Sequence, residues 1–170
     1  MSTDAVEIRR EQLDSRVATT LIGELNAELT LRYPEDGATH FRLDPDEVAP
    51  ARGAFLVAWS GGEPVGCGAI RKLDETRAEI KRMYVKPSWR GRGVSRVLLS
   101  ALEGEARRLG VSRVVLETGT RQHEALGLYR ACGYTRVEAF GEYVGSPLSV
   151  CMEKRLSGYR RTNDEREVQR

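Results

Sequence analysis

The segment Arg90-Gly91-Arg92-Gly93-Val94-Ser95 sets two arginines and two glycines within six consecutive positions. Before it, Ala78–Val85 is rich in β-branched and aromatic residues, which predicts a strand. After it, Val94, Val97, Leu98, Ala101, Leu102, Ala106 and Leu109 recur at helical spacing. The glycines therefore stand where a strand and loop turn into a helix. A helix start leaves about four backbone N–H groups without partners, and its dipole favours anions. Gly91 and Gly93 carry no side chain to hold a ligand off those amides, and Arg90 and Arg92 add fixed positive charge. The chemistry this suits is a seat for a diphosphate. The plainer reading is a loop before an amphipathic helix, with its arginines solvated. Two other phosphate motifs do not match. A P-loop needs Lys-Ser/Thr where Val94-Ser95 stands, and a dinucleotide fingerprint needs glycine where Arg96 stands.

The elements that position this seat follow along the chain. Val6–Arg9 reads as a first strand. Asp14 is the expected N-cap of a helix through Leu31, with Val17, Leu21, Leu25 and Leu29 on one face. Residues 33–46 are broken by Pro34, Gly37 and Pro45. Ala54–Trp59 and Pro64–Arg71 pair across the Ser60–Glu63 turn. A helix over 91–109 follows the Ala78–Val85 strand and leads to a strand over Val111–Leu116. Gln122–Ala131 is helical, with Gly133 as its terminator. Thr135–Ala139 and Ser149–Lys154 close the sheet. The expectation is a mixed α/β (α+β) fold, with helices on a mostly antiparallel sheet and one parallel crossover through the 91–109 helix. One domain is expected over 5–156, followed by a charged tail over 157–170.

Arg90-x-x-Gly93-x-Ser95, the preceding strand and Ala125-Leu-Gly-Leu-Tyr-Arg-Ala-Cys-Gly-Tyr134 together resemble the GNAT superfamily of acetyl-CoA-dependent N-acetyltransferases. Ser95 departs from the Gly/Ala of the family signature but is also small. The resemblance covers most of residues 5–156. It implies acetyl-CoA as co-substrate, with Arg90, Gly91, Arg92, Gly93, Val94 and Ser95 around its diphosphate. It implies that the strands flanking the helix splay apart and admit the pantetheine arm. It also places residues 33–46 in one wall of the acceptor pocket.

Acyl transfer to an amine needs a base, a donor for the thioester oxygen and a donor for the leaving sulfur. Glu79 lies where some members of the resembled family carry a strand carboxylate that draws a proton through water. It could equally face solvent or pair with Lys81 or Arg82. Glu117, at the end of the next strand, is the competing carboxylate, and the two together through one water is a further arrangement. His123 reads as a surface residue and His40 belongs to the acceptor loop. The backbone amides of Met83, Tyr84 and Val85 are candidates for the thioester oxygen. The resemblance points Tyr129 at the sulfur, and packing against the sheet is the alternative. Gln122 stands where the family often has an asparagine on the pantetheine. Arg32, Tyr33, Arg82 and Tyr143 are candidates for the acceptor pocket, the arginines as partners for a carboxylate.

Composition narrows the remaining classes. The chain has 170 residues, 40% of them hydrophobic and 31% charged, in the range of a water-soluble domain. A net charge of +2 argues against nucleic acid as the main partner. No apolar run suits a membrane span and no signal peptide is expected. Cys67, Cys132 and Cys151 form no disulfide or zinc pattern, are expected as buried small side chains and fit the cytoplasm. No metal is expected. An exposed sheet edge offers a homodimer contact. The expected activity is acetyl transfer from acetyl-CoA to a primary amine of a small or amino-acid-like acceptor, by direct attack in a ternary complex. A protein N-terminus or lysine as acceptor, or a non-catalytic acetyl-CoA sensor, are the alternatives.

Overall fold

The computed structural model describes residues 5–40 and 42–156, and the expected 157–170 tail lies outside them. Strands β1 (Glu7–Arg10), β2 (Gly53–Ser60), β3 (Glu63–Lys72), β4 (Arg77–Val85), β5 (Arg113–Gly119), β6 (Thr135–Val137) and β7 (Ser149–Arg155) form one sheet in the order β1-β2-β3-β4-β5-β7-β6. Every pairing is antiparallel except β4 with β5. Helices α1 (Arg16–Arg32), α2 (Val94–Arg108) and α3 (His123–Ala131) cover it. The expected fold class holds.

The two faces follow from strand alternation. Leu98, Leu99, Leu102 and Ala106 of α2 bury against Leu56, Ile70, Ile80, Val114 and Leu116. On the other face, Ala18, Leu21 and Leu25 of α1 meet Phe55, Val57, Cys67 and Ala69. Each fully buried leucine contributes about 1.5–3 kcal/mol.

Several boundaries move, each for a local reason. The cap of α1 is Ser15 rather than Asp14, because the Ser15 hydroxyl accepts the Ala18 amide at 3.1 Å. α1 buries Ala18 where Val17 was expected, with Val17 only half-buried. α2 starts at Val94 rather than residue 91, because Gly91 and Gly93 take φ of 77° and 83° and cannot continue a right-handed helix. Val111 is not in β5: its amide closes on Ala106 O at 3.3 Å, at the end of α2. β5 instead runs on to Gly119, which brings Glu117 inside the strand.

Two irregularities prepare the site. Between β3 and β4 the register jumps: Cys67 faces Tyr84, but Ala69 faces Lys81. The extra β4 residue is a bulge, and Arg82 in it adopts φ 55°. Between β4 and β5 the parallel pairing stops at Ile80–Leu116, while β4 continues to Val85 and β5 to Gly119. The two strands part there, as the resemblance implied.

Candidate active site

The parted strands open into a cleft of about 580 Å³ bounded by α1, β4, β5 and the starts of α2 and α3. At one end Gly91, Val94 and Ser95 line it. The first backbone bond of α2 runs from Val97 N to Gly93 O at 3.2 Å, so the preceding amides have no helical acceptor. A Cβ added at Gly91 or Gly93 would meet nothing within 4 Å, and their positive φ is what requires glycine. Arg90 lines the cleft, but its charge is shared. Its Nε donates to Val85 O at 2.9 Å and its Nη2 meets Glu28 at 2.9 Å. Arg92 and Gly93 stand next to the cleft lining. Arg92 stacks 4.8 Å over the Trp89 ring, and Gly93 sets the turn that starts the helix.

Lys86 N donates to Val65 O at 2.9 Å, so Lys86 and Tyr84 aim their main-chain groups at β3. By alternation, the amides of Met83 and Val85 face the opening. This corrects the place of Tyr84 among the candidate amides. Its hydroxyl donates to Glu24 Oε2 at 3.1 Å, and burial with that bond pushes its pKa up to about 12.

Glu117 lines the floor of the cleft, and Tyr129 lines it from α3. Burial pushes the Glu117 carboxyl up to about 7; the Ser149 hydrogen bond opposes the rise, Glu79 adds to it, and the Arg82 and Lys81 cations oppose it. Tyr129 is 5% exposed, and burial raises its phenol well above the usual range. It keeps its proton at neutral pH and is a hydrogen-bond donor. A carboxyl poised near neutrality and a protonated phenol thus line one cleft.

Glu79 does not line the cleft. It is 0% exposed, and Arg71 Nη2 meets it at 2.8 Å while Tyr143 Oη donates to it at 2.6 Å. The expected partners Lys81 and Arg82 bond elsewhere: Lys81 to Arg42 O and Glu142, Arg82 to Asn26 and His40 O. Arg71 also pairs with Glu47. Glu79 therefore ties the loops carrying Glu47 and Tyr143 to the sheet. Tyr143 is corrected with it: buried at 2% exposure, it packs edge-on to His40 behind the cleft.

Arg32, Tyr33, His40 and Arg82 also line the cleft. The Tyr33 hydroxyl accepts the Arg121 amide at 2.8 Å. Gly119 permits that contact, because a Cβ there would come within 1.8 Å of Tyr33 Oη. Arg32 is exposed and 3.6 Å from Glu28. Gln122 lines the cleft, but its Oε1 accepts the Gly119 amide at 2.8 Å, which folds the side chain onto its own turn. His123 is exposed at the rim. Cys132 is half-buried, 3.6 Å from Arg96 Nη1, whereas Cys67 and Cys151 are buried as expected.

A family model described as the acetyltransferase (GNAT) family matches residues 19–134, from α1 to the residue before β6. The chain belongs to the GNAT family. This acetyltransferase is 40% identical over 152 residues to the IAA acetyltransferase of Azospirillum brasilense, covering 89% of this chain and 98% of that one. It is 36% identical, with a TM-score of 0.75, to a solved Klebsiella pneumoniae chain named as a candidate acyl-CoA N-acyltransferase; the match covers 90% and 99%. A GNAT acetyltransferase of Elizabethkingia anophelis, solved with acetyl-CoA bound, shares the fold at 17% identity and a TM-score of 0.65, covering 90% and 99%.

Glu28 and Arg121 in this acetyltransferase's cleft, and Glu24 bonded to its Tyr84, were not anticipated. Glu24 and Glu28 stand one helical turn apart on α1, beside the buried Leu21 and Leu25, and bond Tyr84 and Arg90. Their i, i+4 spacing next to an apolar stripe was the available signal. Arg121 crosses from the β5–α3 loop to Glu35 at 2.5 Å, and nothing local in the sequence marks it.

Proposed function

We propose that this acetyltransferase moves an acetyl group from acetyl-CoA to the primary amine of a small acceptor, by direct attack with both substrates bound. The observation that carries the reading is the parting of β4 and β5 beyond Ile80–Leu116, with Glu117 and Tyr129 on the walls and the α2 amides at one end. The site suits the cofactor: open amides with cleared space for a diphosphate, and an unpaired β4 edge for the amides of a pantetheine arm. When bound, acetyl-CoA supplies an activated acetyl thioester.

The remaining chemistry belongs to this chain. Glu117, half ionised near pH 7, takes a proton from the acceptor ammonium directly or through water. The Met83 or Val85 amide polarises the thioester oxygen. Tyr129 donates a hydrogen bond to the departing sulfur. Arg82 and Arg32 at the acceptor end favour an acceptor that also carries a carboxylate. Burial pushes the Cys67 thiol up to about 12 and raises Cys151 as well, which keeps both unreactive and supports direct attack over a cysteine intermediate. The free cysteines also favour the cytoplasm as the setting.

The test is thiol release from acetyl-CoA across a mixed amine library, with free amino acids, polyamines and peptides in separate wells. Turnover confined to peptides would replace the small acceptor with a protein one. Two variants probe the cofactor half. Arg90→Glu replaces the cation paired with Glu28 by a second carboxylate and removes the tie to Val85 O, so acetyl-CoA binding weakens more than about tenfold by calorimetry, over about 1.4 kcal/mol. Unchanged affinity would remove the diphosphate seat. Tyr129→Phe lowers kcat more than it raises KM, and a steady kcat would leave Tyr129 as packing.

A further inference from the structure

Turning an ammonium into an amide removes two protons from its nitrogen. One ends on the departing thiol and the other must leave the protein. The base receives it at the floor of a cleft that both substrates fill, so its route outward is a separate question. Glu117 faces Cys151 across the β5–β7 ladder, and Gly119 faces Ser149. Opposed residues and those two positions away share a face, which sets Ser149 diagonally beside Glu117, within reach of its long side chain. Ser149 Oγ is in turn 2.9 Å from Ser146 Oγ, and either hydroxyl can donate. Ser146 and Ser149 line a second cleft, with Glu138 and Cys151, and neither lines the first.

We propose that Ser149 and Ser146 form a proton exit from Glu117 through the sheet's β7 side into this second cleft. The inference rests on Glu117 being the base. The protonated carboxyl passes its proton to Ser149 Oγ as the Ser149 hydroxyl proton moves to Ser146 Oγ and the Ser146 proton moves to solvent water. Each serine keeps one proton, Glu117 returns to carboxylate, and one proton is released per turnover. Ser149, diagonal to Glu117 on the same face of the sheet, is also the side chain that most favours its charged form. The other groups that feel Glu117 are Glu79, Lys81, Arg82 on β4, Tyr129 on α3, Tyr33 after α1, Tyr143 in the 140–148 loop and Cys151 on β7. None of these continues to the second cleft except Cys151, whose thiol is a weak hydrogen-bond donor and acceptor beside a serine hydroxyl.

Two measurements decide it. Infrared titration of protein labelled with ¹³C-carboxyl glutamate, with Glu117→Gln subtracted, reads the Glu117 carboxyl without turnover. Ser149→Ala raises its midpoint and Ser149→Thr restores it; an unmoved midpoint in Ser149→Ala overturns the relay. Thiol release is then followed in weak buffer, with acetyl-CoA and an equimolar pool of free amino acids and polyamines. Ser146→Ala turns over several-fold more slowly with a larger solvent deuterium isotope effect, imidazole restores the rate, and KM for acetyl-CoA stays put. Rate and isotope effect equal to wild type, or a loss that imidazole does not restore, overturns the relay. Should Glu117→Gln retain an acid limb near neutrality, the base assignment falls and the relay with it. Should Glu117→Gln lose that limb while both serine variants match wild type, the relay alone falls.

Discussion

Replacing Glu117 with glutamine lowers kcat by about 10²–10⁴ at neutral pH, the usual range for losing a positioned general base. In the native enzyme kcat/KM rises with pH through an acid limb at about 7, because only the ionised carboxylate accepts a proton. The Gln variant keeps its residual rate and loses that limb. The same group leaves a mark on stability. Burial raises its pKa from the ordinary carboxyl value of 4.5 to about 7, so the folded chain holds more protons than the unfolded one between those values. Its favourable contribution is complete below 4.5 and lost as pH rises through about 7. The Gln variant therefore gains Tm relative to native protein as pH is raised across that window. A gain that is flat with pH, or a limb that survives, would move the base elsewhere.

Glu79→Ala acts in the opposite sense: it destabilises by about 3 kcal/mol or more, read as a lower urea midpoint at unchanged slope. The side chain is fully buried, and its loss strips the Tyr143 hydroxyl of its acceptor and Arg71 of one of two carboxylates. Glu47 stays beside Arg71, which keeps the loss below that of an isolated buried cation. Tyr143→Phe loses part of the same energy, about 1.5–3 kcal/mol for a bond to a charged group. A Glu79→Ala protein of native stability with abolished turnover would return Glu79 to the role of base.

The contrast between these two carboxylates shows where sequence reading stopped. Both sit on neighbouring strands, and both were candidates for one proton. Their roles are set by what stands beside them. Glu79 faces Arg71 across the β3–β4 ladder, and Tyr143 reaches it from a loop 64 residues away. Glu117 has moved past the last β4–β5 pair, where the strands diverge and the cleft begins. Spacing along the chain carries neither fact, because each depends on register and on the residue at which pairing ends. Tyr84 teaches the same lesson at the level of a single amide. The extra residue of the bulge sets the direction of the next amides, and that direction decides which of Met83, Tyr84 and Val85 faces the opening.

Local chemistry by itself determined the kinds of element, their order along the chain and the proposed place of the anion seat. Glycines that need positive φ before an amphipathic helix, and Tyr129 one turn after Ala125, are short-range patterns whose physics is complete within a few residues. Tertiary structure decided which carboxylate is buried in an ion pair and which is poised over a cleft. It decided that the Arg90 charge is shared with Glu28, and that Ser149 of β7, with Ser146 of the loop before it, stands beside Glu117. Those are contacts between distant segments, and the low dielectric that gives them their strength exists only once the sheet has closed around them.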